Sequence, residues 1–143
     1  MRSVLMQDWL TVSFGTATSS VATNLNQSRE GWLDTAGMSN AVLLIQIPFL
    51  KDCTFLLETC SELAGFWLPM EGIQGTPTGE PPGPPDGSLE PSNGYSVMAY
   101  LTANPDSASN VRMLRYLRWN LVLNDDGSTL GTACLRISAV LKS

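Results

Sequence analysis

The chain of 143 residues contains no histidine. This absence excludes nucleophile pairs in which histidine is the base, and zinc sites that need imidazole ligands. Catalysis would then depend on carboxylates or lysine, but none of the thirteen Asp and Glu residues lies in a recognisable acid/base motif. The sequence also has no phosphate-binding loop, dinucleotide fingerprint or nucleophile elbow. It predicts a protein that is not an enzyme and that carries no metal or cofactor.

Charged residues are scarce, at 15% of the chain, whereas an average soluble domain has about 25%. The eight Lys and Arg are outnumbered by acidic residues, and the net charge is −5. A nucleic-acid partner is not expected, because phosphates are bound by dense clusters of basic side chains. A surface with so few charges is either uncharged and polar or covered by partners.

Long apolar runs are absent as well. The longest, AVLLIQIPFL at 41–50, is interrupted by Gln46 and Pro48 and is about half the length of a membrane-spanning helix. The first ten residues, MRSVLMQDWL, lack the apolar core of a secretory signal. We therefore expect no membrane contact, and a chain made in the cytoplasm.

The three cysteines, Cys53, Cys60 and Cys134, are odd in number and have no metal-binding spacing. A disulfide between Cys53 and Cys60 stays open as an alternative, but free thiols in a reducing compartment are expected. Each cysteine is interpreted as a small buried apolar residue.

The dominant pattern is alternation of apolar and polar residues with a period of two, which is typical of β-strands. It covers WLTVSF at 9–14, TFLLETC at 54–60 and YSVMAYLT at 95–102, while AVLLIQI at 41–47 reads as a doubly buried strand that Pro48 ends. FWLPM at 66–70 reads as a short aromatic strand. The predicted fold class is all-β: a jelly-roll-like antiparallel β-sandwich of about eight strands, forming one domain over 1–143.

The clearest predicted element is a β-hairpin near the C-terminus. Its first strand places Leu117, Trp119, Leu121 and Leu123 on one face. The segment NDDGS at 124–128 has the composition of a turn. The return strand, TACLRISAVL at 132–141, alternates as well, with its odd-numbered residues inward.

Composition changes abruptly at 71–94, which holds six of the nine prolines and six of the twelve glycines. Neither a helix nor a paired strand tolerates that density, since proline lacks an N–H donor and glycine adds backbone freedom. Three interpretations remain: a solvated loop, an arm at Gly72–Gly94 that lies across a neighbouring subunit, or a proline-rich ligand. In the last two, the contact residues are Pro81, Pro82, Pro84 and Pro85.

Arg112, Arg115 and Arg118 would form one stripe on a helix, but on a strand from about Leu114 the side chains of Arg115 and Arg118 alternate between faces. The arginines are expected either to be solvated beside a core strand or to pair with acidic groups of a partner. Trp67 and Trp119 are predicted to pack in the core. Trp9 and Trp32 are predicted partner-binding residues near sheet edges, since tryptophan is enriched at interfaces.

Three stretches carry a resemblance to known proteins: GWLDTAGMSNAVLLIQI at 31–47, TFLLETCSELAGFW at 54–67 and LRYLRWNLVLNDDGSTLGTACLRISAVL at 114–141. They resemble small β-sandwich structural proteins of tailed bacteriophage particles, and the RYLRW strand also resembles discoidin-like, galactose-binding jelly rolls. Cys60 departs from the pattern, in which serine is usual, and so does the Pro/Gly-rich segment. The motifs lie mostly in core strands, so the resemblance bears on fold more than on function.

The resemblance implies a non-enzymatic virion protein that decorates or cements a capsid shell. Its expected partners are the major capsid protein or other virion proteins, together with further copies of itself in a homo-oligomer. The expected contact elements are the Gly72–Gly94 arm and the N-terminal strand at Met1–Phe14. Two alternatives stay open: a carbohydrate-binding module that uses exposed aromatic residues, and a structural protein of the tail or baseplate.

Overall fold

A computed structural model describes residues 1–17, 20–21, 24–62, 65–70, 88–89, 95–103, 113–123 and 130–143. One 3-10 turn, Arg29–Gly31, accompanies the strands. The strands, in chain order, are β1 (Arg2–Ala17), β2 (Ser20–Val21), β3 (Asn24–Asn26), β4 (Leu33–Asp34), β5 (Asn40–Lys51), β6 (Cys53–Cys60), β7 (Leu68–Pro69), β8 (Ser88–Leu89), β9 (Tyr95–Thr102), β10 (Tyr116–Leu123) and β11 (Leu130–Lys142).

Two antiparallel sheets pack against each other, which confirms the predicted all-β sandwich. One sheet has the order β2-β1-β11-β5-β9 and the other β3-β10-β6-β7, with β4 paired to β10 and β8 paired to β6. The long strands β5, β6, β9, β10 and β11 alternate between the sheets along the chain, which is the connectivity of a jelly roll. β3 and β4 pair with different parts of β10, and β7 and β8 pair with different parts of β6. With each of these pairs counted as one position and the two-residue β2 left out, the strands fill eight positions, as predicted.

The core lies between the sheets and follows the alternation in the sequence. Leu43, Ile45 and Ile47 of β5 face Leu117, Leu121 and other side chains of the opposite sheet, and all are fully buried. The predicted inner face of β10 is confirmed, and Trp119 is 3% exposed. The predicted inward residues of β11 are confirmed too: Ala133, Leu135, Ile137, Ala139 and Leu141 are buried.

The predicted hairpin is wrong, although both of its strands exist. β10 pairs with β3, β4 and β6, whereas β11 pairs with β1 and β5 in the other sheet. Alternation specifies which side chains point inward, but two strands that face each other across a core alternate just as two paired strands do. The predicted turn at 124–128 lies outside the described residues.

Pro48 does not end β5, which continues to Lys51. The register between β5 and β11 shifts between Cys134 and Arg136, opposite the stretch that contains Pro48. A bulge accommodates proline because the extra residue is left out of the ladder. Asp52, the residue between β5 and β6, carries the chain from one sheet to the other. It has a φ of 57°, a left-handed conformation that Asp tolerates better than most residues.

All three cysteines are free thiols, so the disulfide alternative is wrong. Cys53 and Cys60 are buried, as predicted, whereas Cys134 is half-buried on the outer face of the five-stranded sheet. Within the described part of the chain, no helix is long and apolar enough to cross a membrane.

Titration of Cys53 gives a testable dependence of stability on pH. Burial raises the pKa of its thiol from 9.0 to about 11. The unfolded chain therefore loses this proton before the folded chain does, so the stabilising contribution is complete below pH 9 and is lost as pH rises towards 11. Between pH 9 and 11, the free energy of unfolding measured with urea is expected to fall less for Cys53→Ala than for the parent chain. Parallel curves for the two proteins would contradict this assignment.

Candidate protein-binding face

The outer face of the five-stranded sheet is apolar at its centre. Two adjacent rows of side chains cross it, each with one residue from β1, β11, β5 and β9 in turn: Leu5, Ser138, Leu44 and Met98 in one, and Ser3, Val140, Val42 and Tyr100 in the other. An antiparallel sheet with one solvated face normally presents polar residues there. Here each row instead joins one small serine to three larger apolar or aromatic side chains.

Exposed apolar side chains are concentrated on this face. Of the nine large hydrophobic residues that are exposed among those described, six point outward from this sheet: Leu5, Trp9, Phe49, Tyr100, Leu130 and Val140. Trp9 is 54% exposed and Tyr100 64%. Leu5, Val140 and Tyr100 lie within the two adjacent apolar rows, and a contiguous apolar patch marks an interaction surface.

A shallow groove of about 500 Å³ runs along the middle of the face. Ser138 lies opposite Leu5 on one side and Leu44 on the other, so its small side chain leaves a depression between two leucines. Val42, Met98 and Val140 extend the apolar lining, and Arg136 borders the groove. The groove has the size and chemistry to receive an apolar side chain of a partner.

The charges on this face have mostly one sign. Among the described residues, Lys51 and Lys142 lie at opposite ends of the face and Arg136 lies beside the groove, with Asp8 as the only acidic side chain near them. Arg136 Nε is 3.8 Å from the Asp8 carboxylate, which is too long for a hydrogen bond, and this buried nitrogen has no hydrogen-bond partner. The guanidinium lies 5.9 Å from the Trp9 ring. The described part of the face is thus basic, although the net charge of the chain is −5.

The six-stranded sheet carries a different cluster on its outer side. Trp32 and Trp67 meet edge to face with their ring centroids 4.6 Å apart. The Arg118 guanidinium lies 4.1 Å from the centroid of the Trp67 ring, and Arg118 Nε donates a 2.7 Å hydrogen bond to Glu58. The two charged side chains are only 14% and 9% exposed. Asn120 donates to the other oxygen of Glu58 at 3.2 Å.

This aromatic cluster is bound to its own chain. The Arg118 guanidinium and the edge-to-face contact with Trp32 occupy much of the Trp67 ring surface that a sugar would need for stacking. Arg115, by contrast, is exposed and binds Asp34 with both Nε and Nη2 at 3.3 Å. The hydrogen bond from Arg115 lowers the pKa of the Asp34 carboxyl. At half exposure this ion pair contributes little to stability.

The predicted site residues therefore separate into distinct regions. Trp9 lies on the apolar face, whereas Trp32 and Arg118 belong to the aromatic cluster on the other sheet, with Arg115 at its margin. Arg118 is not solvated, and both Arg115 and Arg118 have acidic partners within the chain. Trp67 packs outside the sandwich core rather than in it. The remaining predicted contacts, which are Arg112, Pro81, Pro82, Pro84 and Pro85, lie outside the described residues.

Sequence reasoning missed most of the apolar face. The sequence pattern predicts strands here but gives no separate role to five of the residues: Val42, Leu44, Met98, Tyr100 and Val140. When a strand is apolar on both sides, alternation does not show which apolar residues face solvent. The scarcity of charge was the available signal. On β5, the outward residues Val42 and Leu44 match the inward ones in hydrophobicity.

Within the described ranges, no group of three Cys, Asp or Glu side chains is placed to hold a metal ion. Comparison with models of known protein families gave no match, and no curated protein or solved structure proved similar to the chain. The resemblance to phage structural proteins therefore depends on the strand motifs alone.

Proposed function

We propose that this chain is a non-enzymatic assembly protein that binds another protein through the outer face of its five-stranded sheet. The observation that carries the proposal is the concentration of exposed apolar side chains, with few charges, on that face. Interface centres are depleted in charge and enriched in aromatic residues, Met and Arg. Trp9, Met98, Tyr100 and Arg136 supply this composition here.

The partner is a different protein rather than an identical face of a second copy. The three cations and one anion that the structure describes on the face would meet the same charges if two such faces packed together, and like charges disfavour the contact. A partner that fits has an apolar side chain for the groove and acidic groups opposite Lys51, Arg136 and Lys142.

In its most specific form, the proposal makes the chain an auxiliary protein of a tailed-phage capsid, with the major capsid protein as partner. The strand motifs support this form, and double-sheet jelly rolls include viral capsid proteins. The arm at Gly72–Gly94 remains a further predicted contact. A tail or baseplate location would use the same face on a different partner.

The test uses empty shells assembled from the major capsid protein of the same phage. The chain is mixed with the shells, which are then sedimented, and the bound fraction is measured. Leu5→Glu is expected to reduce binding at least about tenfold, since it places a charge in the apolar centre. Leu68→Glu, at 53% exposure on the other sheet against 48% for Leu5, is the matched control and is expected to bind normally.

The outcome is decisive when both variants keep the parent's melting temperature. Equal binding by Leu5→Glu and Leu68→Glu would contradict the assignment of the face. Failure of the parent chain to bind shells would overturn the capsid role. Binding of galactose by the parent chain, lost in Trp9→Ala, would instead favour the carbohydrate-binding alternative, because lectins also use the jelly roll.

A further inference from the structure

Arg136 lies on β11 where both neighbouring strands depart from regular pairing. β1 has two extra residues relative to β11 between Leu5 and Leu10. On the other side, β5 has one extra residue between Gln46 and Phe49. Bulges are over-represented beside functional sites, where they re-aim side chains. Irregular pairing on both sides of one charged residue therefore singles out this point of the apolar face.

The bulged part of β1 is fixed by hydrogen bonds. The Gln7 side chain accepts a hydrogen bond from Trp119 Nε1 at 3.0 Å and donates one to the Asp8 backbone oxygen at 2.9 Å. The Asp8 carboxylate accepts a hydrogen bond from the Trp9 backbone N–H at 2.8 Å. Asp8 thus has a partner on its own strand and stays 3.8 Å from Arg136 Nε. A site that is ordered before binding loses less conformational freedom when it binds.

The Arg136 guanidinium has an unused donor. Its Nε is buried without a hydrogen-bond partner among the described residues, while the side chain as a whole is 37% exposed. A buried donor that lacks an acceptor is costly. The acceptor that fits a guanidinium best is a carboxylate, which takes two parallel N–H···O bonds. Asp8 disfavours a doubly charged phosphate more strongly than a carboxylate, because repulsion grows with the charge of the ligand.

The groove supplies the second half of the site. Ser138 follows Arg136 by two positions on β11, so the two side chains project from the same face about 7 Å apart. In an extended segment, residues two positions apart have this same spacing and direction. Such a segment can place a carboxylate against Arg136 and a large apolar side chain over Ser138, between Leu5 and Leu44.

We propose that Arg136 determines which partner the groove accepts, by binding the carboxylate of an extended segment in which one residue separates an acidic from a large apolar residue. The inference rests on the proposed function and deepens it. The apolar face supplies the contact area, and Arg136 supplies the choice among apolar partners. A partner with a neutral residue at the acidic position leaves the guanidinium without a counter-charge and binds more weakly.

The first test uses the protein alone. The Arg136 Nε–H resonance, assigned by its absence in Arg136→Lys, is followed by NMR during titration with the peptide acetyl-Asp-Ser-Leu-amide. A downfield shift that saturates is expected, because a charge-assisted hydrogen bond forms at this atom. The matched control peptides carry Asn in place of Asp, or Ser in place of Leu, and are expected to bind more weakly. No response to the Asp-Ser-Leu peptide would overturn the proposal, as would equal responses to all three peptides.

Shell sedimentation separates this inference from the proposed function. Arg136→Met is expected to weaken binding at least about tenfold, and Arg136→Lys less, because lysine keeps the charge but not the paired donors. Arg29→Met is the matched control, since it removes an exposed positive charge between β3 and β4, and it should bind like the parent. All three are compared at unchanged melting temperature.

The outcomes for the two proposals differ. Normal binding by Arg136→Met, together with loss of binding in Leu5→Glu, would overturn the role of Arg136 and leave the proposed face intact. Equal losses in Arg136→Met and Arg29→Met would also overturn it, because net charge would then explain the effect. If the parent chain does not bind shells, the capsid role fails, and the peptide titration still decides the role of Arg136.

Discussion

Glu58→Ala is expected to lower the free energy of unfolding by about 3 kcal/mol, the lower end of the range for breaking a buried ion pair. The carboxylate is 9% exposed and accepts hydrogen bonds from both Arg118 and Asn120. Its removal leaves a largely buried guanidinium without a counter-charge. Arg118 retains 14% exposure and its contact with Trp67, which keeps the loss from being larger. Urea unfolding, monitored by tryptophan fluorescence, measures this loss in the free energy of unfolding.

A triple variant separates the cost of an orphaned charge from the value of the ion pair. Glu58→Leu with Arg118→Met and Asn120→Leu removes the two polar side chains that the single change leaves without the Glu58 carboxylate. It also removes Asn120 Oδ1, which is already buried without a partner in the parent. Apolar replacement of a buried charged group is often neutral or stabilising. The triple variant is therefore expected to recover most of the lost stability. A triple variant as unstable as Glu58→Ala would show that the polar network itself stabilises the fold.

Gln27→Leu is expected to cost about 3 kcal/mol or more, since leaving a buried polar group unpaired costs about 1–3 kcal/mol. The side chain is 4% exposed and lies between β1 and β10. Its amide nitrogen donates to the backbone oxygens of Met6 at 3.0 Å and Gly31 at 2.7 Å. Its oxygen accepts from the Trp119 backbone N–H at 3.2 Å. Leucine would leave all three backbone groups without this partner.

Two further variants test whether these hydrogen bonds are responsible. Gln46→Leu makes the same chemical change on the outer face of β5 and is expected to alter stability by no more than about 0.5 kcal/mol. Gly31→Ala keeps glutamine at position 27 but puts a Cβ 2.8 Å from its amide nitrogen. The amide is then displaced from its hydrogen bonds, so this variant is also expected to be less stable than the parent. Thermal unfolding of the three proteins side by side gives the comparison. A loss for Gln46→Leu equal to that for Gln27→Leu would refute the argument.

The two sides of the sandwich serve different purposes under the proposals made here. On the six-stranded sheet, Trp32, Trp67, Glu58 and Arg118 satisfy one another, so their contacts contribute to stability within the chain. On the five-stranded sheet, the exposed apolar residues have no equivalent cover among the described residues. Variants in the cluster on the six-stranded sheet are expected to change the free energy of unfolding. Variants on the outer face of the five-stranded sheet are expected to change binding to the partner protein. Leu68→Glu and Leu5→Glu exploit that separation.

The amino-acid sequence determined the strands and the direction of most of their side chains. Alternation is a local property of the backbone, and for this reason β6, β9 and the inward residues of β10 and β11 were predictable. The absence of histidine and the scarcity of charge likewise depend on composition alone. Both directed the interpretation towards binding rather than catalysis.

Only the tertiary structure decided which strands pair and which residues meet. β10 and β11 lie on opposite sides of the core, a fact that no local pattern contains, because inward alternation is the same for paired and for facing strands. Arg118 meets Glu58 across 60 residues of chain, and the row from Leu5 to Met98 joins four strands that are distant in sequence. Such contacts depend on sheet order and register, which are set by packing of the whole domain. The candidate face could therefore be found only after the fold was known.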